Sequence, residues 1–344
     1  MQPGSLCESI AGKTGNTHDM ADASHLIGDI GGTNARFALA DETEGFKFER
    51  TLKCAEFESS VAAIRHYLEM IDAADPDVIF LAAAGPIIDE TVSFTNNHWV
   101  IEVAELKRTF GIDAVSLIND FEAIAWSIPA LSADDCITIG LPAPIPLDTP
   151  DFSVAITGPG TGLGAVGLKK HNGQLFPIPG ESSHSGFAPE NQVQIEILKA
   201  MRERFSRVSF ERLVSGPGLE NLYWALSMVH GEQRPTLTAA EVFNAASDDS
   251  DARAAEAVQV FFEILGQFAG DLALTLNALD GVFIAGGIAK RYPGLMETSR
   301  FRNGFEAKGR YRPTMERIPT RLIMHDQPGL LGASYCALRQ IGLG

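Results

Sequence analysis

HLIGDIGGTNARFALADETEGFKFERTLKC, residues 25–54, reads as three strands joined by tight turns. Leu26-Ile27 opens an apolar strand, Gly31-Gly32 bends the chain, 37–40 returns, 41–45 turns again and 46–53 forms a third strand. The same order recurs at 151–180, DFSVAITGPGTGLGAVGLKKHNGQLFPIPG. There Ile156 enters, 158–164 bends, 165–168 returns, and His171-Asn172-Gly173 supplies the hairpin turn. A repeated strand-bend-strand-turn-strand unit predicts two related halves facing one another, with a ligand in the cleft between them. Two unrelated Gly-rich hairpins would look the same locally.

Outward from the first unit, 59–71 places Val61, Ile64, Leu68 and Ile71 at helical spacing, and VIFLAAAG after Pro76 is a strand buried on both faces. A short helix at 102–110 and a strand at 114–118 continue the alternation, so the class is α/β with mixed sheets flanked by helices. The segment 129–150, rich in proline and acids, reads as the linker, with one short strand at 136–139. Beyond it, 192–205, 239–246 and 253–279 read as helices, the last delivering the chain to the buried strand 281–285, and 329–338 as the closing helix. The expected division is a polar extension at 1–23, a small domain at 24–140 and a large domain at 141–344, the closing helix free to pack back on the small domain.

The 344 residues carry 27 Lys plus Arg against 44 Asp plus Glu, a formal charge of -17, which disfavours a nucleic-acid backbone binder. No apolar run of about 18 residues lacks a charge, so a membrane span is not expected. Cys7, Cys54, Cys136 and Cys336 form no zinc or disulfide pattern, which points to a reducing cytoplasm. Gly12-Lys13-Thr14 matches the end of a Walker A motif, but Cys7 stands where its first glycine belongs and no strand precedes it.

The chemistry concentrates at the glycine-rich junctions. Gly28, Asp29, Ile30, Gly31, Gly32, Thr33 and Asn34 set a carboxylate beside a bend whose glycines can take positive φ and expose N–H groups, a nest for a terminal phosphate. Asp29 suits the divalent ion of a nucleotide, held through water. A plain hairpin turn remains the alternative. Gly158, Gly160, Thr161 and Gly162 form a similar nest, and Gly286-Gly287 a strand-to-helix junction open to an adenosine or needed only for packing. Asn119-Asp120 ends the strand VSLIND, where open α/β sheets bind substrates. Asp120 would take the proton of an attacking hydroxyl, or serve only as a helix N-cap, with Asn119 bonded to the same ligand. Glu181, His184 and Glu211 are further polar residues matched to a neutral polyol, in segments that also read as ordinary surface.

Taken in order, DIGGTNARFALA, LAAAGP, FTNNHW, LINDFEAIAW, ITGPGTGLGAV, PGESSHSGFAP, LVSGPGLENLY, GVFIAGGI and HDQPGLLGA resemble the bacterial glucokinase family, within the actin-like ATPase and sugar kinase superfamily. The resemblance implies two ribonuclease H-like domains around a cleft, phosphorylation of the 6-hydroxyl of glucose by ATP with Mg2+, and a homodimer. It makes Asp120 the catalytic base, and makes Asn96, Asn119, Glu181, His184 and Glu211 sugar-binding. Asp29 would sit near magnesium, with Gly158 to Gly164 as the second phosphate turn and 285–288 as the adenosine box. The chain departs from the family at Ser182-Ser183, where two glycines are usual, and it lacks the zinc cysteines of the repressor and open-reading-frame kinase branch. The alternatives are a kinase of another hexose or N-acetylhexosamine, and a sugar-binding regulator.

Overall fold

Strand β1 (His25–Ile30) buries Leu26, Ile27 and Ile30 on alternate faces, and the chain reverses at Gly31 into β2 (Asn34–Asp41) and β3 (Gly45–Lys53). The computed structural model describes residues 24–342 apart from 95 and 145, so the expected polar extension and Gly12-Lys13-Thr14 lie outside the described residues. Helix α1 (Ser60–Met70) starts where Ser59 accepts a hydrogen bond from the Ala62 amide, and buries Ala63, Ile64, Tyr67 and Leu68. It leads to β4 (Val78–Ala83), buried at every position as its apolar run requires. A small antiparallel sheet of β5 (Ile87–Ile88), β6 (Thr91–Ser93) and β7 (Val100–Glu102) follows, then α2 (Val103–Phe110), β8 (Val115–Asn119) and α3 (Asp120–Ser127).

After β9 (Cys136–Ile139), the second unit runs through β10 (Phe152–Pro159), β11 (Leu163–His171) and β12 (Gln174–Pro179). Four helices come next: α4 (Gln192–Arg204), α5 (Gly216–Val229), α6 (Ala239–Ser247) and α7 (Ala252–Leu276). The chain then forms β13 (Gly281–Ile284), short helices α8 (Gly287–Arg291), α9 (Pro293–Glu297), α10 (Phe301–Glu306) and α11 (Arg312–Met315), β14 (Thr320–Ile323) and α12 (Pro328–Leu338). Helix α7 is capped by the Asp251 carboxylate and ends at Asn277, whose φ of 51° stops the helix. It is long and apolar enough to span a membrane, but 78% of its most apolar stretch is buried inside the protein, so it is the core helix of this unit. Burying each of Phe261, Phe262, Ile264 and Leu265 there contributes roughly 1.5–3 kcal/mol.

The two large sheets repeat one plan. Their orders are β3-β2-β1-β4-β8 and β12-β11-β10-β13-β14-β9. In each, an antiparallel meander is joined through its first strand to a parallel partner, β1 to β4 and β10 to β13. The bends are tighter than the sequence suggests, because β10 continues through Pro159 and β11 begins at Leu163. Ladder hydrogen bonds persist until only 160–162 remain to turn the chain.

Helix α3 is wedged between the sheets. Trp126 packs with Ile27 and Phe80 of the first sheet and with Leu330 of α12, whereas Ala125, and Ile128 just past the helix, pack with Phe152, Val154 and Ile156 of the second sheet. Helix α12 lies on β1, β2 and β4 and against α3, while β9 pairs antiparallel with β14 in the second sheet. Each sheet is thus completed by a segment drawn from the other end of the chain.

Candidate active site

Wedging α3 between the sheets puts its first residue, Asp120, at the junction of the two units. Asn119 is the N-cap and accepts a hydrogen bond from the Phe121 amide at 2.9 Å, so capping falls to Asn119 and Asp120 occupies the next position. The remaining Asn119 contact is its amide nitrogen on the Gly85 carbonyl at 3.4 Å. Asp120 Oδ1 also accepts from the Phe121 amide at 2.9 Å. Burial, then the nearby Asp29 charge, push the Asp120 carboxyl up to about 6, with Glu181 adding to the rise. Phe121 lies so close to Gly164 that a Cβ there would sit 2.0 Å from its ring, which locks the start of α3 to the second unit.

Asp29 sits near the end of β1, its carboxyl raised by burial and partly restored by Arg36, whose Nη1 is 3.5 Å from Oδ2. The two residues are register partners across the hairpin. Gly329, in the first turn of α12, faces Asp29 from the other side. Neither Gly31 nor Gly32 adopts positive φ, contrary to expectation. What Gly32 provides is proximity, since a Cβ there would lie 3.2 Å from that of Asn96. Asn97 Nδ2 donates to the Gly31 carbonyl at 3.3 Å and the Thr33 carbonyl accepts from the Cys54 amide at 2.9 Å. These contacts hold the turn, while the Gly32 and Thr33 amides bond no group among the described residues. A cleft of about 480 Å³ opens here, lined by Gly32, Thr33, Cys54, Asn96, Asn97 and His98. Gly28 and Ile30, by contrast, are buried in the first core.

The second turn is assembled from three segments. A Cβ on Gly158 would fall 2.1 Å from the Ala285 carbonyl, and one on Gly286, at φ 90°, 2.4 Å from that of Pro159. Only glycine allows these two backbones to touch, which brings 158–162 and 285–287 together. Gly287 begins α8 and is exposed. The Gly216 amide, opening α5, donates to the Gly160 carbonyl at 2.9 Å, while the Thr161 and Gly162 amides bond no described group.

Glu181, His184 and Glu211 form one cluster. His184 Nε2 is 3.8 Å from Glu181 Oε2, and Nδ1 is 3.9 Å from Glu211 Oε1. Both separations are too long for hydrogen bonds, so the facing donors and acceptors stay open to hydroxyls. Glu211 Oε2 accepts from the Leu163 amide at 3.1 Å, tying the cluster to the second turn. Ser182-Ser183 opens a short 3-10 turn without positive φ, so serine costs no backbone strain there. The Ser183 carbonyl instead accepts from the Glu211 amide at 3.2 Å.

The Asp120 carboxyl thus senses the charges of Asp29 and Glu181, and His184 stands between Glu181 and Glu211. Asn96 stands beside the first turn, apart from that cluster. Arg36, Asn97 and Phe121 are structural members of the site that motif reading passes over. Arg36 was accessible in principle, because a hairpin bend at Gly31-Gly32 sets it opposite Asp29. Among the described residues no group of three or more His, Cys, Asp or Glu side chains could hold a metal ion by itself.

Comparison with known proteins gives the same site a relationship. A family model described as glucokinase matches residues 26–340. The glucokinase of Cronobacter sakazakii is 41% identical over 318 residues, covering 92% of this chain and 98% of the relative, and that of Caulobacter sp. is 41% identical over 319 residues, covering 90% and 93%. A crystal structure of glucokinase from an Antarctic psychrotroph superposes with a TM-score of 0.83 at 33% identity, covering 92% of this chain and 99% of that one. The chain belongs to the bacterial glucokinase family.

Proposed function

We propose that Asp120 is the general base of an ATP-dependent glucokinase that converts glucose to glucose 6-phosphate and ADP. The observation that carries the assignment is the place of Asp120, the first residue of the helix shared by both sheets, beside Asp29 and Glu181. The 6-hydroxyl gives its proton to Asp120 as its oxygen bonds to the γ-phosphorus, and the bond from that phosphorus to ADP breaks. A base titrating at about 6 is mostly ionised at neutral pH yet basic enough to take the proton.

Glu181, His184 and Glu211 hold the remaining hydroxyls and so aim the sixth, with Asn119 and Asn96 as further sugar-binding residues. The unused amides of Gly32, Thr33, Thr161 and Gly162 receive the phosphates, and Gly286-Gly287 borders the adenosine. Asp29 fits magnesium, because one buried carboxylate beside open amides suits an ion that keeps water and phosphate as its other ligands. When bound, magnesium neutralises phosphate charge.

The proposal includes two actin-like domains, 24–140 and 141–344, closing on the cleft, a homodimer, and a cytoplasmic location. The shared plan of the two sheets supports the first, with β9 and α12 each exchanged across the boundary. Particle mass in solution tests the dimer. A coupled assay across glucose, mannose, fructose, glucosamine and N-acetylglucosamine, with sugar-free ATP hydrolysis beside it, tests the substrate. Preference for glucose and slow sugar-free hydrolysis are expected; a higher kcat/KM for N-acetylglucosamine would overturn the assignment.

A further inference from the structure

Adjoining the sugar cluster lies a cavity of about 380 Å³ that begins at His184 and Glu211 and continues to Ser209, Arg204, Arg207 and Arg212. Three guanidinium groups around one cavity are unexpected in a chain of formal charge -17. None of the three makes an ion pair among the described residues. Two are held instead by aromatic rings: the Arg204 guanidinium carbon lies 3.3 Å from the Trp224 ring centre, and that of Arg212 4.6 Å from that of Phe205. Stacking fixes each plane and leaves its N–H edge free for an acceptor. The favourable field at the C-terminus of α4 accounts for Arg204, in its last turn, but not for Arg207 or Arg212 beyond it.

The cavity shares His184 and Glu211 with the sugar cluster. In a hexose carbon 1 lies across the ring from carbon 5 and its 6-hydroxyl arm, so with the 6-hydroxyl at Asp120 and the other hydroxyls on Glu181, His184 and Glu211, the reducing end turns toward the cavity that adjoins His184 and Glu211. We propose that the cavity is an anion subsite for a phosphate carried on the reducing end of the sugar, so that an aldose 1-phosphate occupies both sites. This rests on the sugar-site assignment above. With such a ligand the 6-hydroxyl proton passes to Asp120, the oxygen bonds to the γ-phosphorus of ATP, and the bond to ADP breaks. The phosphate at carbon 1 is untouched, and the product is the 1,6-bisphosphate.

The test uses the full chain with ATP and glucose-free α-glucose 1-phosphate, following ADP release and identifying the product by phosphorus NMR. Glucose with added inorganic phosphate is the comparison arm. The subsite predicts bisphosphate formation, and Arg207→Glu raising KM for the 1-phosphate about tenfold or more while moving KM for glucose less than about twofold. Arg207→Gln, milder at an exposed position, should show the same split to a smaller degree. Absence of both turnover and competition with glucose, an equal effect on both substrates, or an Arg207-dependent response to free phosphate alone would overturn the proposal. Glu181→Gln separates the two levels, since it must raise KM for glucose and for the 1-phosphate alike. If it changes neither, the sugar-site assignment has failed; if it changes both while Arg207→Glu separates nothing, only the subsite has.

Discussion

Replacing Asp120 by Asn should make the protein more stable while removing its activity. Folding lifts the Asp120 carboxyl from the ordinary aspartate value of 3.8 to about 6, because burial and the Asp29 charge oppose ionisation. The folded state thus binds this proton more tightly than the unfolded chain does. Stability falls as pH rises from about 4 to about 6, and the full penalty is present above that. The ceiling on the penalty is about 3 kcal/mol, from 1.36 kcal/mol per pH unit of displacement. Partial exposure and coupling to Asp29 reduce this to about 1–2 kcal/mol. Asparagine keeps the size and the acceptor toward Phe121 without the charge. For a chain of this length the expected gain is roughly 2–4 °C in Tm at pH 8, vanishing near pH 4. Thermal melts of both proteins at the two pH values measure it. An equal Tm at pH 8, or a gain that is the same at pH 4, would refute the reasoning that ionised Asp120 is held in an unfavourable place.

Other outcomes follow from the same geometry. The wild-type kcat/KM for glucose should fall about tenfold per pH unit below about 6, because only the ionised base accepts the proton; a flat profile from pH 7 to 5 would exclude Asp120 as the titrating base. Gly32→Val should raise the Kd for magnesium-ATP about tenfold or more, with unchanged circular dichroism, because the added methyls meet Asn96; wild-type affinity in the folded variant would mean the turn holds no phosphate. Saturating glucose should reduce the radius of gyration in small-angle scattering, since Asp120 and the Glu181 cluster converge on one sugar, and an unchanged radius would indicate a preformed cleft.

The paired openings were legible because in each an apolar strand runs into glycines, a pattern that survives without any tertiary information. Asp120 was legible too, as a carboxylate after a buried strand, but its helix duty was not, since Asn119 and Asp120 are equally good caps and only the backbone decides between them. The positive φ expected at Gly32 is absent, and the space beside it is what matters. Its constraint comes from Asn96, far along the chain, and close approach between distant segments leaves no local periodicity. The same holds for Gly158 against Ala285, where the sequence shows two glycine-rich boxes but not that their backbones touch. Helix α5 begins Gly-Pro-Gly, which locally resembles a break, yet Ser215 caps it and Pro217 occupies a first-turn position that needs no amide. The pairing of β9 with β14 depends on contacts across the whole chain and has no signature in either segment alone, whereas the packing of α12 on the first sheet is the return left open for the closing helix.

The central claim is that Asp120 takes the proton from the 6-hydroxyl of glucose during transfer from ATP. Its most direct test is single-turnover formation of glucose 6-phosphate by the wild type and by Asp120→Asn, with glucose affinity measured by calorimetry on the same samples. The predicted result is a rate loss of about 10²-fold or more with glucose Kd within about threefold of wild type. A variant that transfers the phosphoryl group at the wild-type rate would contradict it.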